Sequence, residues 1–274
     1  MAIALALLVS ADPITIQQFS HALQEFSISP DVCQEAAGAV HLLNRRKFDA
    51  VIVDLQLGEQ AGPILDEVHL SPSNRTAVTF AISGSEVDAT AAFRKKTSFV
   101  FERPFSTQSI RSTLKPAYGL ILRERLRYYR CSISIPVTIL RRNMPEVHCH
   151  SLNISAGGMA VSTFVPLNAG EDVQVQFTLP GNKVPFMAES TICWLKTGSL
   201  GVRLVSLSPE DKSELQELLS RKLEEALPES LARQFQRPES SFIAPLGGAK
   251  QDKKMGGPKR WSGREQFKKL MHLH

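Results

Sequence analysis

The residues of this chain that could do chemistry are an acid, a string of arginines, a polar-glycine string and a His-Cys-His triplet. Asp54 ends the apolar run AVIVDL (50–55). Arg123, Arg125, Arg127 and Arg130 crowd the stretch LILRERLRYYR. A guanidinium fork makes paired bonds to phosphate or to a guanine edge, and it stacks on purine faces. The same arginines also suit a solvated helix end, where cations complement the negative dipole. His148, Cys149 and His150 are metal-ligand types. In a strand, however, the two His share a face and Cys149 points away. With no second ligand pair nearby, they read as an ordinary strand surface. Glu224-Glu225 reads as a solvated helix face. No GxSxG, HExxH or Walker loop occurs, so nothing supports an enzyme, a metal centre or a resident cofactor.

The elements that must position these residues divide into two halves and a tail. A length of 274 residues suggests two domains. Four scattered cysteines, Cys33, Cys131, Cys149 and Cys193, with no CxxC pair or zinc spacing, read as reduced core thiols of a cytoplasmic protein. No apolar run is long enough for a membrane span. MAIALALLVSADP resembles a signal peptide in its apolar run, but no Lys or Arg precedes it and Asp-Pro follows, so it reads as a buried strand. The net charge is +5, yet the last 25 residues hold eight Lys or Arg against two acids. Basicity is thus a tail property, and sequence-specific nucleic-acid binding is not expected.

In the first half, apolar runs at 3–9, 30–33, 50–55, 76–83 and 98–105 alternate with helical stretches at 14–26, 41–46, 64–69, 86–95 and after Ser106. Five such units predict a doubly wound parallel sheet over residues 1–118. Ligands of such sheets sit at the strands' carboxyl ends, where Asp12, Asp54 and Ser83 fall. The second half changes period. CSISIPVTIL (131–140) alternates, and β-like stretches follow at 147–155, 158–163, 172–179, 185–196 and 200–207. That spacing predicts a small antiparallel barrel over 119–227, with Ser208-Pro209 opening a closing helix. From Pro228 to 274 the composition predicts a basic, unpacked tail. Within it, GREQFKKLMHLH (263–274) has the pattern of a basic amphipathic helix.

The first half resembles the receiver domain of two-component response regulators. Asp54 in VIVDLQL matches the phosphoacceptor position, and Ser83 in AISGS matches the hydroxyl position. Two other positions depart. The acidic pair is replaced by Ser10-Ala11, with Asp12 one step on, and Lys-Pro is replaced by Arg103-Pro104. Phosphoryl transfer to a carboxylate needs Mg²⁺ to offset charge, and Mg²⁺ needs hard oxygen ligands. The resemblance therefore implies a pseudo-receiver kept as a docking or dimerisation surface for a protein partner. Phosphorylation of Asp54 is the alternative.

The second half resembles the PilZ domain, the bacterial receptor module for cyclic di-GMP. Asn153-Ile154-Ser155-Ala156-Gly157-Gly158 matches the family's (D/N)xSxxG string. Arg130 stands at the family's distance before Ile135-Pro136-Val137, but the position four residues earlier is Leu126, flanked by Arg125 and Arg127. The resemblance implies a cyclic di-GMP site built from Arg125, Arg127, Arg130, Asn153, Ser155 and Gly158, with Gly158 letting the ligand approach the backbone. Because those arginines lie on the linker between the halves, a ligand bridging them to Asn153 and Ser155 is expected to order the linker and re-set the interdomain angle. A ligand-free adaptor is the alternative. Tyr128, Tyr129 and Trp194 read as packing residues.

Overall fold

A computed structural model describes residues 2–85, 97–229 and 231. These fall into two compact units, one holding Met1–Arg123 and the other Glu124–Ala226. The expected helix at 86–95 and the tail sequence from 232 lie outside the described residues.

In the first unit five strands, β1 (Ala4–Val9), β2 (Ile28–Cys33), β3 (Ala50–Asp54), β4 (Val78–Ser83) and β5 (Phe99–Glu102), form one parallel sheet in the order β2-β1-β3-β4-β5. This is the flavodoxin-like doubly wound order. Every residue of β3 and β4 is buried, which is why both read as unbroken apolar runs. Strand β2 lies at an edge and tolerates Pro30, which has no N–H to donate. The helices are α1 (Pro13–Glu25), α2 (Ala36–Arg45), α3 (Ala61–Leu70) and α4 (Thr107–Leu126). Phe19 of α1 is fully buried and meets Phe101 and Phe105 edge-on, with ring centroids 4.8 and 5.2 Å away.

Helix α4 joins two stretches that the sequence presents separately. It runs through Pro116. Ile110, Leu114, Ala117, Tyr118, Ile121 and Leu122 are all buried. Their three- and four-residue spacing makes one apolar stripe. The composition shift near residue 119 thus falls inside a helix, and the division between units comes between Arg123 and Glu124.

The second unit is a closed barrel in the order β10-β11-β8-β7-β6-β9. Its strands are β6 (Pro136–Leu140), β7 (Val147–Ser155), β8 (Gly158–Ser162), β9 (Asp172–Phe177), β10 (Phe186–Lys196) and β11 (Ser199–Ser206). Closure leaves no strand edge open. Side chains alternate in and out along β7 and β10. Inside, Phe177 stacks on Phe186 at 5.2 Å. Helix α5 (Pro209–Glu225) adds Leu215, Leu218 and Leu219 to that core. Ser208 caps it, its hydroxyl accepting from the Asp211 N–H at 3.0 Å.

The cysteines divide differently from the expectation of four core thiols. Cys131 and Cys149 are buried, Cys33 is half-buried and Cys193 is exposed. Cys193 lies on β10, whose outward positions are solvated. Burial raises the Cys149 thiol to about 11, which leaves it inert at neutral pH.

Two glycines are fixed by packing. A Cβ on Gly201 would overlap the Trp194 indole, so the ring lies directly over that backbone. A Cβ on Gly158 would overlap the Val202 carbonyl oxygen of β11, with which Gly158 is paired through Arg203. Gly158→Ala is therefore expected to destabilise the barrel by about 1–3 kcal/mol, the range for forcing extra volume into a packed interior. Urea unfolding of the full chain measures this. Gly157→Ala, whose Cβ would meet nothing within 4 Å, is the control.

Candidate functional site

Two places in the described residues collect the sequence's chemical groups. The first lies at the carboxyl ends of β1, β3 and β5. Asp54 ends β3 and its side chain is 2% exposed. Arg103, just past β5, places a two-pronged guanidinium on it: Nη1 donates to Oδ1 at 3.0 Å and Nη2 to Oδ2 at 2.9 Å. The Ser10 hydroxyl donates to Oδ2 at 2.7 Å, and the Gln56 N–H donates to Oδ1 at 3.1 Å. Both carboxylate oxygens are thus filled from within the chain. Arg103 Nη2 also donates to Thr15 Oγ1 at 2.8 Å and lies 3.9 Å from Asp12 Oδ2. Its charge sits over the Phe105 ring, 5.3 Å from the centroid. The peptide bond from Arg103 to Pro104 is cis.

Asp12 is occupied as the cap of α1. Its carboxylate accepts from the N–H groups of Ile14 and Thr15 and from the Thr15 hydroxyl. That hydroxyl, foremost, holds the Asp12 carboxyl below its ordinary range. Ser83 turns away: its hydroxyl donates to the Ser85 carbonyl at 2.5 Å and accepts from the Ser85 N–H at 3.1 Å. The sequence therefore names Asp54 and Ser83 as a pair, whereas the partners of Asp54 are Ser10 and Arg103. Their only signal in the sequence is that both stand where the receiver pattern has other residues.

This set does not suit the Mg²⁺ ion that a receiver-like fold implies. Mg²⁺ wants near-octahedral oxygens. Here one carboxylate is bound by a guanidinium, the other caps a helix, and Ser10 and Ala11 carry no charge. Among the described residues, no group of three or more His, Cys, Asp or Glu could hold a metal ion.

The second place is on the barrel. The segment between α4 and β6 lies across β7. Cys131 and Ile154 exchange both backbone bonds, at 2.8 and 2.9 Å. The buried Ser151 hydroxyl donates to the Ile133 carbonyl at 2.6 Å and accepts from the Ile135 N–H at 3.0 Å. The Ser151 side chain thus stands in for part of a backbone ladder between residues 133–135 and β7. For this reason the strand expected from Cys131 begins only at Pro136. The antiparallel register places the backbone of Arg130 across from Ser155.

The other candidates differ in their engagement. Arg125 is half-buried, and its Nε is buried without a hydrogen-bond partner. Asn153 Oδ1 is likewise buried and unpartnered. An unmet donor and an unmet acceptor are each costly when dry. Arg127 is exposed, with Nε 3.9 Å from Glu124, and Arg130 is exposed. Leu126 packs against the barrel core. The Ser155 hydroxyl donates to the Gly158 carbonyl at 2.9 Å, closing the β7–β8 turn. Gly158 faces Val202, so the packing of the barrel by itself accounts for a glycine there. Tyr129 packs against the barrel core and Trp194 covers Gly201, whereas Tyr128 is exposed.

Residues 124–221 match the PilZ domain family. No curated protein matches the sequence significantly. Among solved structures, the inhibitor of motility MotI/DgrA of Bacillus subtilis aligns at 20% identity and a TM-score of 0.33, over 35% of this chain and 50% of its own. The present chain thus spans about half the length of that protein. The receiver domain of a sensor histidine kinase from Pseudomonas aeruginosa PAO1 aligns at 18% identity and a TM-score of 0.39, over 42% of this chain and 98% of its own. A CheY-like receiver domain from Methylobacillus flagellatus aligns at 23% identity and a TM-score of 0.38, over 43% of this chain and 98% of its own.

Proposed function

We propose, from the premise that residues 124–221 are a PilZ domain, that this chain is a non-enzymatic signalling effector that binds cyclic di-GMP. The site lies where the arginine segment crosses the end of β7. The observation that carries this reading is the backbone pairing of Cys131 with Ile154. In that register the backbone of Arg130 lies across from Ser155, which supports a site that draws on both the arginine segment and the Asn153–Ser155 string. Cyclic di-GMP presents two phosphates and two guanines, and guanidinium groups can bond both. The unmet Asn153 Oδ1 supplies an acceptor for a guanine N–H, and the unmet Arg125 Nε supplies a donor.

Relay follows from where the arginines sit. Arg127 and Arg130 lie on the stretch from Arg127 to Ile135 that joins α4 to β6, and Arg125 lies just before it. A ligand held by them and by β7 favours one arrangement of that stretch over others. The receiver-like unit then acts as the surface that a protein partner, or a second copy of the chain, reads.

Leu126 supports a second reading, an adaptor that takes no nucleotide. It occupies the place of the family's first arginine, and its side chain packs on the barrel core. Calorimetric titration of the full chain with cyclic di-GMP separates the two. A micromolar site, about −8 kcal/mol, is expected, together with a changed small-angle scattering profile at saturation. Absence of heat favours the adaptor; binding with an unchanged profile removes the relay alone.

A further inference from the structure

The Asp54 pocket and the metal ion implied by its fold disagree, and the disagreement has a physical form. A divalent cation held there would need the oxygens that Arg103 already binds. The guanidinium meets Asp54 edge to edge, with two parallel bonds of 3.0 and 2.9 Å. This planar, paired geometry is the strongest that arginine makes with a carboxylate. A further bond to Thr15 and the Phe105 ring hold the guanidinium in place.

We propose that Arg103 is the resident cation of this pocket. It replaces the metal ion, so the receiver-like unit takes up no Mg²⁺ and Asp54 accepts no phosphoryl group. Three further observations agree. The Asp54 side chain is 2% exposed with both oxygens bonded, which leaves no lone pair open to an in-line donor. The hydroxyl of Ser83 is committed to Ser85. Neither Ser10 nor Ala11 brings a charge to hold a metal. The unit therefore has a single form with respect to phosphodonors, and the chain's input comes from elsewhere. Because this pocket belongs to the receiver-like unit, the inference stands or falls separately from nucleotide binding by the barrel.

The test uses the full chain, with Mg²⁺ and acetyl phosphate as probes. For the unaltered protein, the same melting temperature is expected in EDTA and in millimolar Mg²⁺. The intact mass is expected to stay constant after acetyl phosphate and Mg²⁺ together. Arg103→Gln removes the cation while keeping much of the side chain's length. It frees the Asp54 carboxylate from its counter-ion, and combining it with Ser10→Asp supplies an acid whose absence helps exclude the metal, so the melting temperature of the double variant should rise when Mg²⁺ is added. A Mg²⁺-dependent rise in the unaltered protein, or a gain of one phosphoryl mass, overturns the proposal. Failure of the double variant Ser10→Asp/Arg103→Gln to respond to Mg²⁺ also counts against it. If that variant does not fold, the two measurements on the unaltered protein decide alone.

Discussion

Asp54→Ala is expected to lower the unfolding free energy of the receiver-like unit by about 3–5 kcal/mol, the usual cost of removing one partner of a buried ion pair. The loss has several parts, all visible in the geometry. The Arg103 guanidinium, 17% exposed, keeps its charge and loses both carboxylate bonds. The Ser10 hydroxyl loses its acceptor. The short 3-10 turn at Leu55–Gln60 loses the side chain that caps it through the Gln56 N–H. Calorimetric melting of the full chain measures the effect. The double variant Asp54→Ala/Arg103→Met should recover more than half of it, because no unpaired charge then remains inside. A near-neutral single variant would mean that the pair contributes little to the unit.

The second large effect concerns ligand. Arg130→Ala and Arg125→Ala should each weaken cyclic di-GMP binding about tenfold or more. A hydrogen bond to a charged group contributes about 1.5–3 kcal/mol, and about 1.4 kcal/mol is a factor of ten. Together they should weaken it roughly a hundredfold. Arg127→Ala should matter less, since that side chain is exposed and drawn toward Glu124. Arg130 is also exposed, so its removal should leave the melting temperature unchanged and isolate the binding term. Calorimetry on the single and double variants reads these differences, and full affinity in Arg130→Ala would remove the proposed site. Leu126→Arg is a less clean gain-of-binding variant than the sequence suggests. Leu126 packs on the barrel core, so an arginine there must lay its stem along apolar surface to keep its head in water.

Much of the fold could be read from period alone. The nine-residue string VHCHSLNIS is β7 to the residue, with Val147, Cys149 and Ser151 buried and His148, His150 and Leu152 exposed. The apolar runs of β1, β3 and β4 needed only the rule that central parallel strands are buried on both faces. Helix α4 was harder. Pro116 and Gly119 argue locally for a break, and the buried stripe from Ile110 to Leu122 overrides them. The sites were legible only by residue type. Ser10 and Arg103 stand out in the sequence as departures from the receiver pattern, but they lie 44 and 49 positions from Asp54. No local pattern could say that these two departures compensate each other. Nothing in the string around Gly158 announces that this glycine packs against Val202.

That last point bears on how relatives of this barrel should be counted. Ser155 closes a turn and Gly158 clears a carbonyl oxygen on the neighbouring strand. A lineage that abandoned the nucleotide would still be selected to retain both letters, since altering either strains the barrel. The exposed guanidiniums carry no such obligation and would be free to drift. A genome survey keyed to the serine-glycine signature therefore tallies barrels; under the proposed function, one keyed to the arginines ahead of them tallies receptors.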